Sequence, residues 1–138
     1  MARILIIEDN AANMKLATLF ARGAGHSVLC ASDAETGLTL ARLGQPDLVL
    51  MDIHLPGMDG LAATAILKQD PVTAAIPVIA LTALAMKTDE ERCRKAGCDA
   101  YIAKPVRYRE LHATMSALLS GGEARPPALA QVAQTDVV

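Results

Sequence analysis

The feature that most constrains this chain is an alternation. Short, nearly unbroken apolar runs take turns with segments of helical length. Arg3–Ile7 (RILII), Ser27–Ala31 (SVLCA), Asp47–Met51 (DLVLM), Pro77–Leu81 (PVIAL) and Ala100–Ala103 (AYIA) read as strands. A strand with one wet face alternates polar with apolar residues; several of these do not, so both of their faces must be covered. Between them, Ala12, Leu16, Leu19 and Phe20 recur at the spacing of one helical stripe, as do Leu111, Met115, Leu118 and Leu119. Ser32 with Glu35, and Thr88 with Glu91, match the capping box that opens a helix, and Gly25, Gly44 and Gly97 stand where helices should stop. Five strands alternating with five helices predict an α/β fold: right-handed crossovers and a doubly wound, five-stranded parallel sheet with helices on both faces.

Composition narrows the function classes. At 138 residues and 52% hydrophobic, the chain can bury one core but not two. Only Phe20, Tyr101 and Tyr108 are aromatic, so that core must be aliphatic. A net charge of -2 supplies no basic field for nucleic acid or an anionic membrane surface. No apolar segment approaches the length of a membrane span, and the first run is too short for a secretory leader. Cys30, Cys93 and Cys98 lack metal-site spacing and are expected to be small buried or half-buried residues in a reducing cytoplasm. After Ser120 the apolar period is lost in a stretch carrying Gly121-Gly122 and Pro126-Pro127. The expected organisation is one domain over 1–120 and a flexible tail over 121–138, too short for an appended output domain.

The polar residues that interrupt the apolar pattern share one placement. Glu8 and Asp9 follow the first strand, Asp52 the third, Thr82 the fourth and Lys104 the fifth. In an open parallel sheet those strand ends line a single crevice. Three carboxylates brought together would raise one another's pKa unless a cation joined them. Oxygen ligands of this kind suit Mg²⁺, which takes one or two carboxylates and keeps several waters. Phosphoryl transfer asks a protein mainly for positioning and charge stabilisation. A carboxylate nucleophile would give an acyl phosphate, and an ammonium and a hydroxyl would hold its oxygens.

Each position taken singly has a plainer reading. Asp9 or Asn10 could cap the first helix, Asp59 the third, and Thr82 could be a loop hydroxyl. That reading does not explain why five such groups fall at matching strand ends.

The motifs IEDN (7–10), MDIHLPGMDG (51–60), LTALA (81–85) and YIAKP (101–105) resemble, in order and spacing, those of the response-regulator receiver family, whose fold is CheY-like with strand order 2-1-3-4-5. The resemblance runs from about Arg3 to Ser120 and is strongest toward single-domain regulators of the DivK type and receivers attached to hybrid kinases. It implies that Asp52 is the phosphoacceptor, with Thr82 and Lys104 binding the phosphoryl group. Glu8, Asp9, Asp52 and the backbone carbonyl of His54 would hold Mg²⁺, Glu8 largely through water. It further implies a cis Lys104–Pro105 peptide, and a switch in which Thr82 shifts and Tyr101 turns inward. Glu8 departs from the commoner Asp. His54 and Leu84 occupy positions that tune hydrolysis, and the ring of His54 is not expected to be catalytic. His26 and His112 are expected at the surface.

The function implied is a cytoplasmic phosphorelay switch rather than an enzyme, losing its own phosphate slowly at most. Its phosphoryl donor would be a sensor histidine kinase or a histidine phosphotransfer protein. Its output would pass to a protein target through the fourth helix, fifth strand and fifth helix, with homodimerisation an open alternative. The charged 86–95 segment is either part of that surface or simply solvated. Two rivals remain: a phosphate-independent pseudo-receiver, which normally lacks an acid or the lysine, and a flavin, nicotinamide or aspartyl-phosphate enzyme. The glycine-rich phosphate loop of the first two enzymes and the D-x-D start of the third are absent.

Overall fold

The computed structural model describes residues 1–83 and 87–121. Five strands, β1 (Arg3–Ile7), β2 (Ser27–Ala31), β3 (Leu48–Asp52), β4 (Val78–Thr82) and β5 (Ala100–Ala103), alternate with α1 (Ala11–Gly23), α2 (Ala34–Gly44), α3 (Gly60–Gln69), α4 (Lys87–Ala96) and α5 (Tyr108–Leu119). All pairings are parallel, in the order β2-β1-β3-β4-β5. The expected fold class and strand order are both met.

Strand side chains alternate between two covers. Ile4, Ile6, Leu48, Leu50, Ile79 and Leu81 face the α1–α5 side, while Leu5, Ile7, Val49, Met51 and Val78 face α2 and α3. Ile4 through Ile7 are all fully buried. Each contributes about 1.5–3 kcal/mol by leaving water, which is why β1 tolerates no polar residue until Glu8.

Several local expectations shift. Asp52 and Thr82 are the last residues of their strands rather than the first beyond them, because the ladder extends one pair further than apolarity suggests. On α1 the buried residues are Ala17 and Ala21, with Met14 and Phe20 packed at the margin, whereas Ala12 and Leu19 are exposed. Small side chains let this helix lie close to the sheet, so the largest residues do not mark its buried face. Asp33, not Ser32, caps α2: its carboxylate accepts from the Thr36 N–H at 2.7 Å. α2 runs through Gly44, and Gln45 takes the left-handed conformation (φ 44°) in its place. Thr88 lies inside α4 rather than at its cap. Cys30 is exposed. His26 is half-buried, its Nδ1 accepting from the Ala2 N–H at 3.1 Å, while His112 is exposed as expected. The expectations for Leu84 and for the tail beyond Gly121 fall outside the described residues.

Candidate functional site

The parallel sheet brings the carboxyl ends of β1, β3, β4 and β5 to one edge, and the predicted polar residues meet there. Glu8 and Asp52 are 2% and 3% exposed, and Thr82 is fully buried. Lys104 Nζ lies 2.7 Å from Glu8 Oε1 and 3.4 Å from Asp52 Oδ2. Asp9 is exposed, and one carboxylate oxygen from each of Glu8, Asp9 and Asp52 falls within 4.8 Å of the others. A hollow lined by Glu8, Asn13, Leu81 and Lys104, among others, opens beside them.

Local structure aims each group. Asn10 is the cap of α1, its side chain accepting from the Asn13 N–H at 2.9 Å, which leaves Asp9 for the acidic cluster. The Asn10 N–H donates to Glu8 Oε2 at 3.2 Å, and the His54 N–H donates to Asp52 Oδ1 at 2.9 Å. Asp59 caps α3 by accepting from the Ala62 N–H at 2.8 Å, as its plainer reading held. The Lys104 N–H donates to the Thr82 carbonyl at 2.6 Å, and the Lys104–Pro105 peptide is cis. Tyr101 is half-buried against Ile53, Ala80 and Cys93.

Three acids with one ammonium leave negative charge in excess, and the protons respond. Burial, then a hydrogen bond to Asp52, pushes the Glu8 carboxyl up to about 7, against the opposing pull of Lys104 and the Asn10 N–H. Burial acts to raise Asp52 too. The Glu8 hydrogen bond, the His54 N–H and Lys104 outweigh it and hold Asp52 below its ordinary 3.8. The arrangement thus favours the protonated form of Glu8 and the ionised form of Asp52. Three carboxylates whose oxygens converge within 4.8 Å, with one ammonium beside them, form a set of hard oxygen donors chemically suited to a divalent cation.

Two contributors escaped sequence reasoning. The His54 ring places Nε2 3.3 Å from the Thr82 hydroxyl, so it engages a site residue directly although it sits on an exposed residue. No sequence signal announces this, because His54 lies beyond the end of β3 and the aim of its ring is set by tertiary packing. Gly60 is the second. A Cβ there would overlap the Asp52 carbonyl and lie 2.7 Å from the Ile53 Cα, so only glycine lets α3 start this close to β3. The Gly57 and Gly60 pair in PGMDG carried that signal.

A site of clustered carboxylates and a lysine at the strand ends of a five-stranded 2-1-3-4-5 sheet defines a class, and sequence and structure comparisons agree with it. The profile of the response regulator receiver domain matches residues 4–116. The chain belongs to that family and is a receiver of two-component signalling. It is 45% identical over 116 residues to the polar-differentiation response regulator DivK of Brucella anthropi, covering 84% of this chain and 94% of that protein. Among solved structures it resembles the receiver domain of a sensor histidine kinase from Pseudomonas aeruginosa, solved with a magnesium ion coordinated in its active-site cleft. That match has TM-score 0.81 and 33% identity, over 86% of this chain and 98% of the other. A CheY-like receiver from Methanospirillum hungatei matches with TM-score 0.81 and 29% identity, over 88% and 95%.

Proposed function

We propose that Asp52 accepts a phosphoryl group from a phosphohistidine of a sensor histidine kinase or histidine phosphotransfer protein, in a Mg²⁺-dependent reaction. The observation that carries this reading is the meeting of a buried, ionised Asp52 with two further carboxylates and Lys104 at one sheet edge. Glu8, Asp9, Asp52 and the His54 carbonyl would hold the cation. Bound there, Mg²⁺ would neutralise charge on the incoming phosphoryl group and replace the Glu8 proton. The chain's own residues do the rest. An Asp52 oxygen attacks phosphorus while the donor's P–N bond breaks. Lys104 supplies a charged donor to one phosphoryl oxygen, and the Thr82 hydroxyl turns from His54 toward another.

A dianionic phosphoryl group biases two arrangements of the surrounding structure. Thr82 and Tyr101 form the lever, and the α4–β5–α5 face carries the change to a protein target or a second copy. In this reading residues 1–120 are the receiver, 121–138 a tail, and the molecule a cytoplasmic switch without turnover beyond slow loss of its own phosphate. No described helix is long and apolar enough to cross a membrane.

Asp52→Asn tests it. The variant is expected to fold and to take up no phosphate from acetyl phosphate with Mg²⁺, as read by intact mass. Label persisting on Asp52→Asn would place the acceptor elsewhere.

A further inference from the structure

The three cysteines are of two kinds. Cys30 is exposed on β2, whereas Cys93 is buried and Cys98 half-buried in one cluster with Ile53, Ala80, Leu61 and Tyr101. Helix termination brings the last two together. At the end of α4, Gly97 adopts φ 104°, its N–H donates to the Arg94 carbonyl at 3.1 Å, and the Cys98 N–H donates to the Cys93 carbonyl at 3.0 Å. These are the nested backbone bonds of a Schellman motif, which sets the residue after the glycine against one in the helix's last turn. That contact is usually apolar. Here both partners are cysteine, and both side chains pack into the same small apolar cluster. The Cys98 thiol also lies 4.0 Å from the Thr64 hydroxyl of α3.

We propose that Cys93 and Cys98 form a reversible intramolecular disulfide site, oxidised by small disulfides of the glutathione class, and that the bond fastens the end of α4 to the start of β5. The chemistry balances as two exchanges. Cys98, the more accessible sulfur, attacks the small disulfide as its thiolate; the reagent's S–S bond breaks and one thiolate leaves, taking a proton from water. The Cys93 thiolate then attacks the Cys98 sulfur of the mixed disulfide and expels the second. Two protein thiols and one small disulfide become one protein disulfide and two small thiols. The Cys98 contact lowers the Cys93 thiol below its ordinary value, whereas the Cys93 contact and burial raise Cys98. Entry falls to Cys98 because the Cys93 sulfur is buried, and closure follows from the position of Cys93 in the helix's last turn. The site stands on the geometry of a helix end and is independent of whether Asp52 accepts phosphate.

Cys30→Ser protein equilibrated with oxidised and reduced glutathione at rising ratio tests this. The expected product has lost two hydrogens in mass, carries a Cys93–Cys98 bond by peptide mapping, and reverts with dithiothreitol. Hydrogen exchange in the last turn of α4 should slow by about tenfold on oxidation. Adding Cys93→Ser should arrest the reaction at a glutathione adduct on Cys98, and adding Cys98→Ser should prevent both products. Two free thiols at the most oxidising ratio, or a lasting adduct on Cys98 with Cys93 intact, would overturn the proposal; that mapping decides even where a serine variant fails to fold.

Discussion

The two edges of the sheet each set a lysine against carboxylate oxygen, and they are built to opposite ends. At the amino edge of β4 and β5, Lys68 Nζ lies 2.9 Å from Asp99 Oδ2 and donates to the Ile76 carbonyl at 2.8 Å and the Ala74 carbonyl at 3.4 Å. The same Asp99 oxygen accepts from the Val78 N–H at 2.8 Å. One cation meets one anion, and backbone groups take up the remaining hydrogen bonds. At the carboxyl edge Lys104 meets Glu8 and Asp52, with Asp9 close by, and burial among these charges pushes the Glu8 carboxyl up to about 7. A closed network of the first kind holds loops and strands in place. An open one, short of positive charge, costs stability until something positive binds, and that shortage is what makes the carboxyl edge the candidate site.

The comparison can be broken most directly by pH. With the Glu8 pKa raised from 4.5 to about 7, the folded protein holds a proton that the unfolded chain releases between those values. Stability without divalent cations is therefore fully present below pH 4.5, falls as pH rises toward 7, and levels off above it. The loss is on the order of 3 kcal/mol. Urea midpoints at pH 5 and pH 8 should show this fall in the native sequence and not in Glu8→Gln; equal slopes would assign the proton elsewhere. Excess Mg²⁺ should flatten the dependence, because the cation replaces the proton.

A substitution at the amino edge comes next. Lys68→Ala removes the donor to two carbonyls and one of the two partners of Asp99, and should cost about 2 kcal/mol in denaturant unfolding, with no change in Mg²⁺ binding. At the carboxyl edge the sign reverses: at pH 8 without divalent cations Glu8→Gln should gain about 1 kcal/mol, since it removes a buried like charge. The same variant should weaken Mg²⁺ binding about tenfold or more in a calorimetric titration. Stabilisation at both edges, or at neither, would erase the distinction. The smallest effect belongs to Arg42→Ala, which breaks a 2.7 Å pair with Asp70 from a side chain that is 58% exposed. A cost under about 1 kcal/mol is expected there; a larger one would show that solvent does not screen this surface as assumed.

Strand identity was readable because five apolar runs can be dry on both faces only in a covered parallel sheet. The site followed from that topology, since residues far apart in sequence share an edge once the strands are parallel. The misread positions share a cause. Ser32 and Thr88 satisfied the capping spacing, yet Asp33 was one step nearer the first helical turn, and backbone hydrogen bonding settled the choice. Leu19 looked like core and is 57% exposed, because Ala17 and Ala21 set how closely α1 approaches the sheet. Local pattern cannot rank a small residue that packs tightly above a large one that does not.

By itself, then, the sequence determined the element order, the parallel sheet and the list of acids and lysine at its carboxyl edge, since hydrophobic periodicity and strand ends are local properties. Only the tertiary structure decided that the Glu8 carboxyl is pushed up while Asp52 is held down, that the His54 ring reaches Thr82, and that Cys93 and Cys98 share one helix end. Those depend on ångström-scale distances between separate segments, where burial and a single hydrogen bond outweigh what either residue would do alone.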